Sequence, residues 1–299
     1  MRLPNDVLIC EVMSRLSTVD LVRAAKSSNH MSSAVGEAVR IRVLQVLRLF
    51  VPAPGSFSRA MREYHAVVGG SCALRVLSQK DFTPDRIDLY VPSAHSDNMI
   101  TYLKGEGFRM TNTIFPPPFD TGSWPKYIHS FVCMERETNH GNVYIRLHVT
   151  SSTSAVMPIF FEGLTSSVNL ITPRAVLCCY PQLTLRGIVL VNNPWTVTNE
   201  SLAQMQSRGF KTRIDPRSEP QQSSVATQRH LKDRHSLFLP FVAHDTEWYE
   251  ASWEDIEWVC PNTRWTSHLP QGVHDVTNDE GGLVELEDGP TDTSVDDFE

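Results

Sequence analysis

Gly69-Gly70-Ser71 follows the apolar run "HAVV", and Asp88 sits further on in "IDLYVP". A strand that runs into glycines at the start of a helix is one way to seat a triphosphate. Glycine lets the backbone approach phosphate oxygens, and the helix start turns its N–H groups and positive dipole end toward them. Ser71 adds a hydroxyl donor. Phosphoryl or nucleotidyl transfer then needs metal ions held by carboxylates on one face of the neighbouring strand. Strand side chains alternate, so two such carboxylates stand two residues apart. Here the residue two before Asp88 is Arg86, and Asp85 lies three away, on the opposite face of a regular strand. The strand expected to carry a third acid, "VYIRLHV", offers Arg146 and His148 instead. Asp88 is therefore the one candidate for a catalytic or metal-binding role. Gly69, Gly70, Ser71 and Arg86 are candidates for holding a nucleotide or phosphate. An arginine in the first carboxylate position repels Mg²⁺ and can pair with Asp88, so two-metal catalysis is disfavoured and no cofactor is expected. Two readings stay open: a relic in which Arg86 holds Asp88 and Ser71 caps its helix, or a metal-free anion site.

The elements that must place these groups alternate from Ser56 onward. "SFSRAMREY", "SCALRVLSQ" and "SAHSDNMITYLKGEGF" have helical character, while "HAVVG" and "RIDLYVP" read as strands. "FVCMER" and "NVYIRLHV" form a hairpin around "ETNHG". "AVMPIFFEGL" and "PRAVLCCY" are expected as helices around a short strand "VNLI", and "GIVLV" as the last strand. The chain divides into a helical unit at 1–50, an α/β body at 56–210, a polar linker at 211–236, a Trp-rich segment at 237–270 that packs on the body, and an acidic disordered tail at 271–299.

The formal charge of −7 is unevenly placed. Asp275 to Glu299 holds ten acids and no Lys or Arg, which leaves 24 acids against 27 bases elsewhere. No run approaches the roughly 20 apolar residues of a membrane span, and Asn5, Asp6 and Glu11 break any secretory leader. An intracellular location, cytoplasmic or nuclear, is the expectation, with no membrane partner. The six cysteines lack a C-x-x-C pair, so buried thiols are expected rather than zinc ligands. The basic stretch near 211–234 lacks interleaved aromatics, which argues against nucleic acid.

At the N-terminus, "LPNDVLICEVMSRL" places Leu8, Val12 and Leu16 on one helical stripe, with Met13 alongside. Ser17 or Thr18 is suited to cap a second helix, and Val35, Val39, Val43, Val46 and Leu47 recur at helical spacing in a third, from about Ser32 to Phe50. The order Leu3-Pro4, Asp6, Val7-Leu8, Val12-Met13, Leu16 and Asp20-Leu21 resembles an F-box. That resemblance implies a partner, the small adaptor subunit of cullin-RING ubiquitin ligases, contacted through Leu3, Pro4, Val7, Leu8, Leu16 and Leu21. The body resembles the nucleotidyltransferase-like domains that follow F-boxes in many fungal proteins. Gly69-Gly70-Ser71, "IDLYVP", "YLKGEGF" and the block "SAVMPIFFEGLTSSVNLITPRAVLCCYPQLTLRG" carry this similarity. The fold class expected is α+β: a three-helix F-box-like unit followed by a mixed-sheet, nucleotidyltransferase-like body. The function implied is an adaptor that links a ubiquitin ligase to an unknown protein substrate through a catalytically degenerate domain. The alternative is an active metal-dependent nucleotidyltransferase acting on protein or small-molecule hydroxyls.

Overall fold

A computed structural model of the chain describes residues 12–13, 15–78, 80–115, 127–139, 141–191, 197–213, 228–230, 236–241 and 257–259. Leu3, Pro4, Val7, Leu8, the Trp residues 248 and 253, and the acidic tail lie outside these residues.

Helix α1, Thr18–Ala25, starts where Ser17 Oγ accepts from the Asp20 N–H at 2.9 Å. Helix α2, Asn29–Arg48, starts three residues earlier than its apolar periodicity suggests, because Ser28 Oγ accepts from Met31 N–H at 3.2 Å. Helix α3 is Pro54–Glu63, with proline supplying its first residue. Strand β1, Val67–Gly69, runs into α4, Gly70–Leu77; β2, Ile87–Pro92, runs into α5, Ser93–Gly105. Strands β3 (Arg109–Ile114), β4 (Ile128–Thr138), β5 (Gly141–Thr150), β6 (Asn169–Ile171) and β7 (Ala175–Cys178) follow. After α6 (Pro181–Thr184) come β8 (Ile188–Leu190), α7 (Asn199–Ser207), β9 (Lys211–Arg213), β10 (Gln228–His230), β11 (Leu237–Pro240) and β12 (Glu257–Val259).

Eight strands form one mixed sheet in the order β11-β7-β6-β1-β2-β5-β4-β3. Within this sheet, among the described residues, β2 and β5 are the one parallel pair, with Asp88 opposite Arg146 and Tyr90 opposite His148. The central strands are buried on both faces, as their continuous apolar runs require. On one face Val68, Ile87, Leu89, Val91, Leu147 and Val149 pack under α1, α2, α3 and α5. On the other, Val67, Tyr90, Leu170 and Leu177 pack against Ile159, Phe160 and Leu183.

Several expectations change. "PRAVLCCY" is not a helix: Ala175–Cys178 is a strand paired with β6 and β11 and buried throughout. A short apolar run has no periodicity to separate the two states, and hydrogen-bonding partners on both edges decide it. "AVMPIFFEGL" yields only a 3-10 turn, Met157–Phe161, started by Pro158. "GIVLV" is not the last strand. β9 and β10 lie within the 211–236 segment expected as a linker, and β11 opens the Trp-rich segment as the edge strand of the main sheet.

The N-terminal helices are joined to the body rather than tethered beside it. Leu21, Val35, Val39, Val43 and Leu47 share one core cluster with Ala73, Leu77, Ile87 and Leu89. Thr18, buried, donates from Oγ1 to Leu77 O at 2.7 Å. Arg42 on α2 donates through Nη2 to Leu16 O and to Met13 O, which ties the segment before α1 to α2. Gly36 lets α2 touch β11: a Cβ there meets Phe241 O at 2.7 Å and Pro240 O at 2.8 Å.

Candidate functional site

The parallel β2–β5 pair brings Asp88, Tyr90, Arg146 and His148 to one face of the sheet. Asp88 Oδ1 accepts from Arg86 Nε at 2.9 Å and from His148 Nε2 at 3.2 Å. Burial works to raise the Asp88 pKa, but the hydrogen bonds and charges of His148 and Arg86 outweigh it and hold the carboxyl at about 2. The ionised carboxylate can only accept, so His148 Nε2 carries a proton. Burial lowers the pKa of His148 and favours its neutral form. In that tautomer Nδ1 is a buried lone pair, and it has no hydrogen-bond partner among the described residues. The imidazole is fixed by stacking on Tyr90 (centroids 4.2 Å apart) and by the edge of Phe131 (5.1 Å).

The glycines have a packing role here. Gly70 has φ +60°, and a Cβ on it would stand 2.8 Å from Asp88 Oδ2. A Cβ on Gly69 would stand 2.9 Å from the Tyr90 ring. The start of α4 therefore faces the chain's own carboxylate. Ser71 does not cap that helix: Gly69 is the N-cap and no side chain makes a capping hydrogen bond. Asp85 stands apart, accepting from Arg208 Nη2 at 2.9 Å and Gln204 Nε2 at 2.8 Å. Its offset from Asp88 directs it away from the face, and α7 holds it there.

Glu162 is the residue that sequence reasoning missed. Tyr90 OH donates to its Oε1 at 2.8 Å. Burial, with the nearby negative charge of Asp88, pushes its pKa up to about 7 despite the Tyr90 hydrogen bond. Its only sequence signal is a single acid within the apolar run "PIFFEGL".

As a metal site the donor set does not fit. Asp88 already accepts from a guanidinium and an imidazole. Among the described residues no group of three or more His, Cys, Asp or Glu is arranged to hold a metal ion. Arg146, set opposite Asp88, forms no hydrogen bond or ion pair among the described residues.

The raised Glu162 carboxyl has a consequence for stability. A group whose folded pKa lies above its ordinary value of 4.5 stabilises the fold fully below that value, and the contribution is lost as pH rises through about 7. The shift corresponds to a penalty on the order of 3 kcal/mol once the group is ionised. Glu162→Gln keeps an acceptor for Tyr90 without titrating. Urea denaturation should show the variant gaining on the parent by about that amount between pH 5 and pH 8. A difference that stays constant with pH would contradict the assignment.

At the N-terminus, Leu21 was expected at the partner face but is fully buried in the chain's own core. Leu16 is half-buried against the same core. Among the described residues there, the exposed large apolar ones are Val12 (52%) and Val19 (37%). Comparison with known families places an F-box domain at residues 1–38, which covers α1 and the first half of α2. No curated protein and no solved structure matches the chain. The F-box points to a ubiquitin ligase adaptor role through protein binding. Among the described residues no helix is long and apolar enough to cross a membrane.

Proposed function

We propose that the chain is a substrate receptor of a cullin-RING ubiquitin ligase, in which the F-box binds the adaptor subunit and the sheet body recognises a protein substrate. The F-box match at residues 1–38, with apolar Val12 and Val19 left exposed inside it, carries this reading. A unit of this size buries too little surface to stand alone. One side of it is covered by the body, and the exposed valines lie on the remainder. Full-length protein should co-purify with the adaptor subunit, and Leu8→Asp should abolish the association. No complex at micromolar concentrations would overturn the proposal.

The body is read as a nucleotidyltransferase-like domain whose site is degenerate. The Arg86–Asp88–His148 arrangement supports this, because a guanidinium holds the carboxylate that a catalytic cation would need. Incubation with labelled nucleoside triphosphates and Mg²⁺ or Mn²⁺ should give no transfer. Metal-dependent incorporation that is lost in Asp88→Ala would establish the enzymatic alternative.

A further inference from the structure

A second site lies away from Asp88. Between the C-terminal end of α2, the turn before β2 and the tip of the β4–β5 hairpin is a cleft of about 500 Å³. Its lining is partly apolar, including Pro52, Val143 and Leu49, the last 49% exposed. Two arginines line it as well. Arg48, exposed, has no ion-pair partner among the described residues. Arg136 donates from Nη2 to Phe50 O at 2.9 Å and lies over the Phe108 ring, while its buried Nε–H has no acceptor among the described residues. The one acid in the lining, Asp85, is already held by Arg208 and Gln204. The cleft thus presents one exposed guanidinium, Arg48, with the partly buried Arg136 in its wall, beside apolar surface.

We infer that this cleft binds a carboxylate carried on an apolar body. Guanidinium groups match carboxylates in geometry and charge. The apolar lining suits an aliphatic group next to the anion. The adjacent C-terminal end of α2 contributes roughly half a negative charge, which offsets part of the arginine charge and favours a monoanion over a phosphate dianion. Such a group comes from the free C-terminus of a polypeptide that ends in an aliphatic residue, or from a free short-chain acid. A polypeptide terminus held here would give the proposed receptor its substrate contact, and to that extent the inference rests on the receptor reading. The binding itself is independent of the F-box.

Fluorescence polarisation on the full chain tests it, with a labelled short peptide ending in a free leucine carboxylate and the same peptide as its C-terminal amide. The acid form should bind at least about tenfold tighter, the ratio expected for losing one charge-assisted interaction. Arg48→Glu, at an exposed position, should remove that preference without changing Tm, and Asn142→Asp in the same cleft should weaken it. Hexanoate that displaces the peptide at equal affinity identifies a free-acid site; failure of hexanoate to displace it identifies the chain terminus. Equal binding of acid and amide, no effect of Arg48→Glu, or displacement by inorganic phosphate better than by hexanoate would each overturn the inference. None of these outcomes bears on adaptor binding, which is measured separately.

Discussion

Deleting residues 1–50 should leave a chain that cannot fold. In a modular arrangement the F-box could be removed and the body would survive. Here Leu21, Val35, Val39, Val43, Val46, Leu47 and Phe50 are all at most 8% exposed, and they share a core cluster with the helices and central strands of the body. Burying one such side chain contributes about 1.5–3 kcal/mol, so seven together reach roughly 10 kcal/mol or more. That equals most of the 5–15 kcal/mol by which a typical domain is stable. The deletion also strips the cover from Ala73, Leu77, Ile87 and Leu89. The truncated protein should be insoluble, or soluble only without a cooperative thermal transition. A soluble, cooperatively melting 51–299 fragment would show that the helices are an appendage.

Gly36→Val should be nearly as damaging, and Gly36→Ala should also destabilise although alanine is the better helix former. Replacing a mid-helix glycine by alanine ordinarily gains about 1 kcal/mol. At Gly36 the added carbon lies 2.7–2.9 Å from the backbone of Pro240 and Phe241, which has no flexible end to move aside. Relieving that contact shifts β11 against α2 and loosens the pairing of β11 with β7. Overpacking of this kind costs about 1–3 kcal/mol or more, so the clash outweighs the propensity gain. Alanine should lower the denaturation midpoint modestly, and valine should lower it severely. An unchanged or raised midpoint for Gly36→Ala would contradict the close approach of α2 to β11.

Some of this was legible in the sequence and some was not, for physical reasons. Helices α1 and α2, the β4–β5 hairpin and the β1–α4 junction carry strong periodicity, caps or turn residues, and they form close to where those signals place them, although α2 starts three residues early and Ser71 does not cap α4. The Arg86–Asp88 pair follows from the two-residue alternation of a strand. The proximity of His148 follows once its strand is known to pair with β2. The β7 strand was not legible, because an apolar stretch of four residues means helix or strand depending on what lies beside it. Glu162 was hidden for the same reason: its contact with Tyr90 spans 72 positions and belongs to the tertiary fold. Nor did local pattern show that Leu21 faces inward. Amphipathic spacing identifies an apolar stripe but does not say whether the chain's own body or a partner covers it.

The receptor reading rests most directly on the F-box and its exposed residues. The decisive measurement is the affinity of the full-length chain for purified adaptor subunit, taken by isothermal titration beside the melting temperature of each variant. Val12→Asp and Val19→Asp, at exposed positions, should leave Tm unchanged and weaken binding by about tenfold or more each, as truncating an interface anchor does. Submicromolar binding by the parent with that pattern of loss is the predicted result. Absence of binding by a folded parent chain, or full affinity in both variants, would contradict the account.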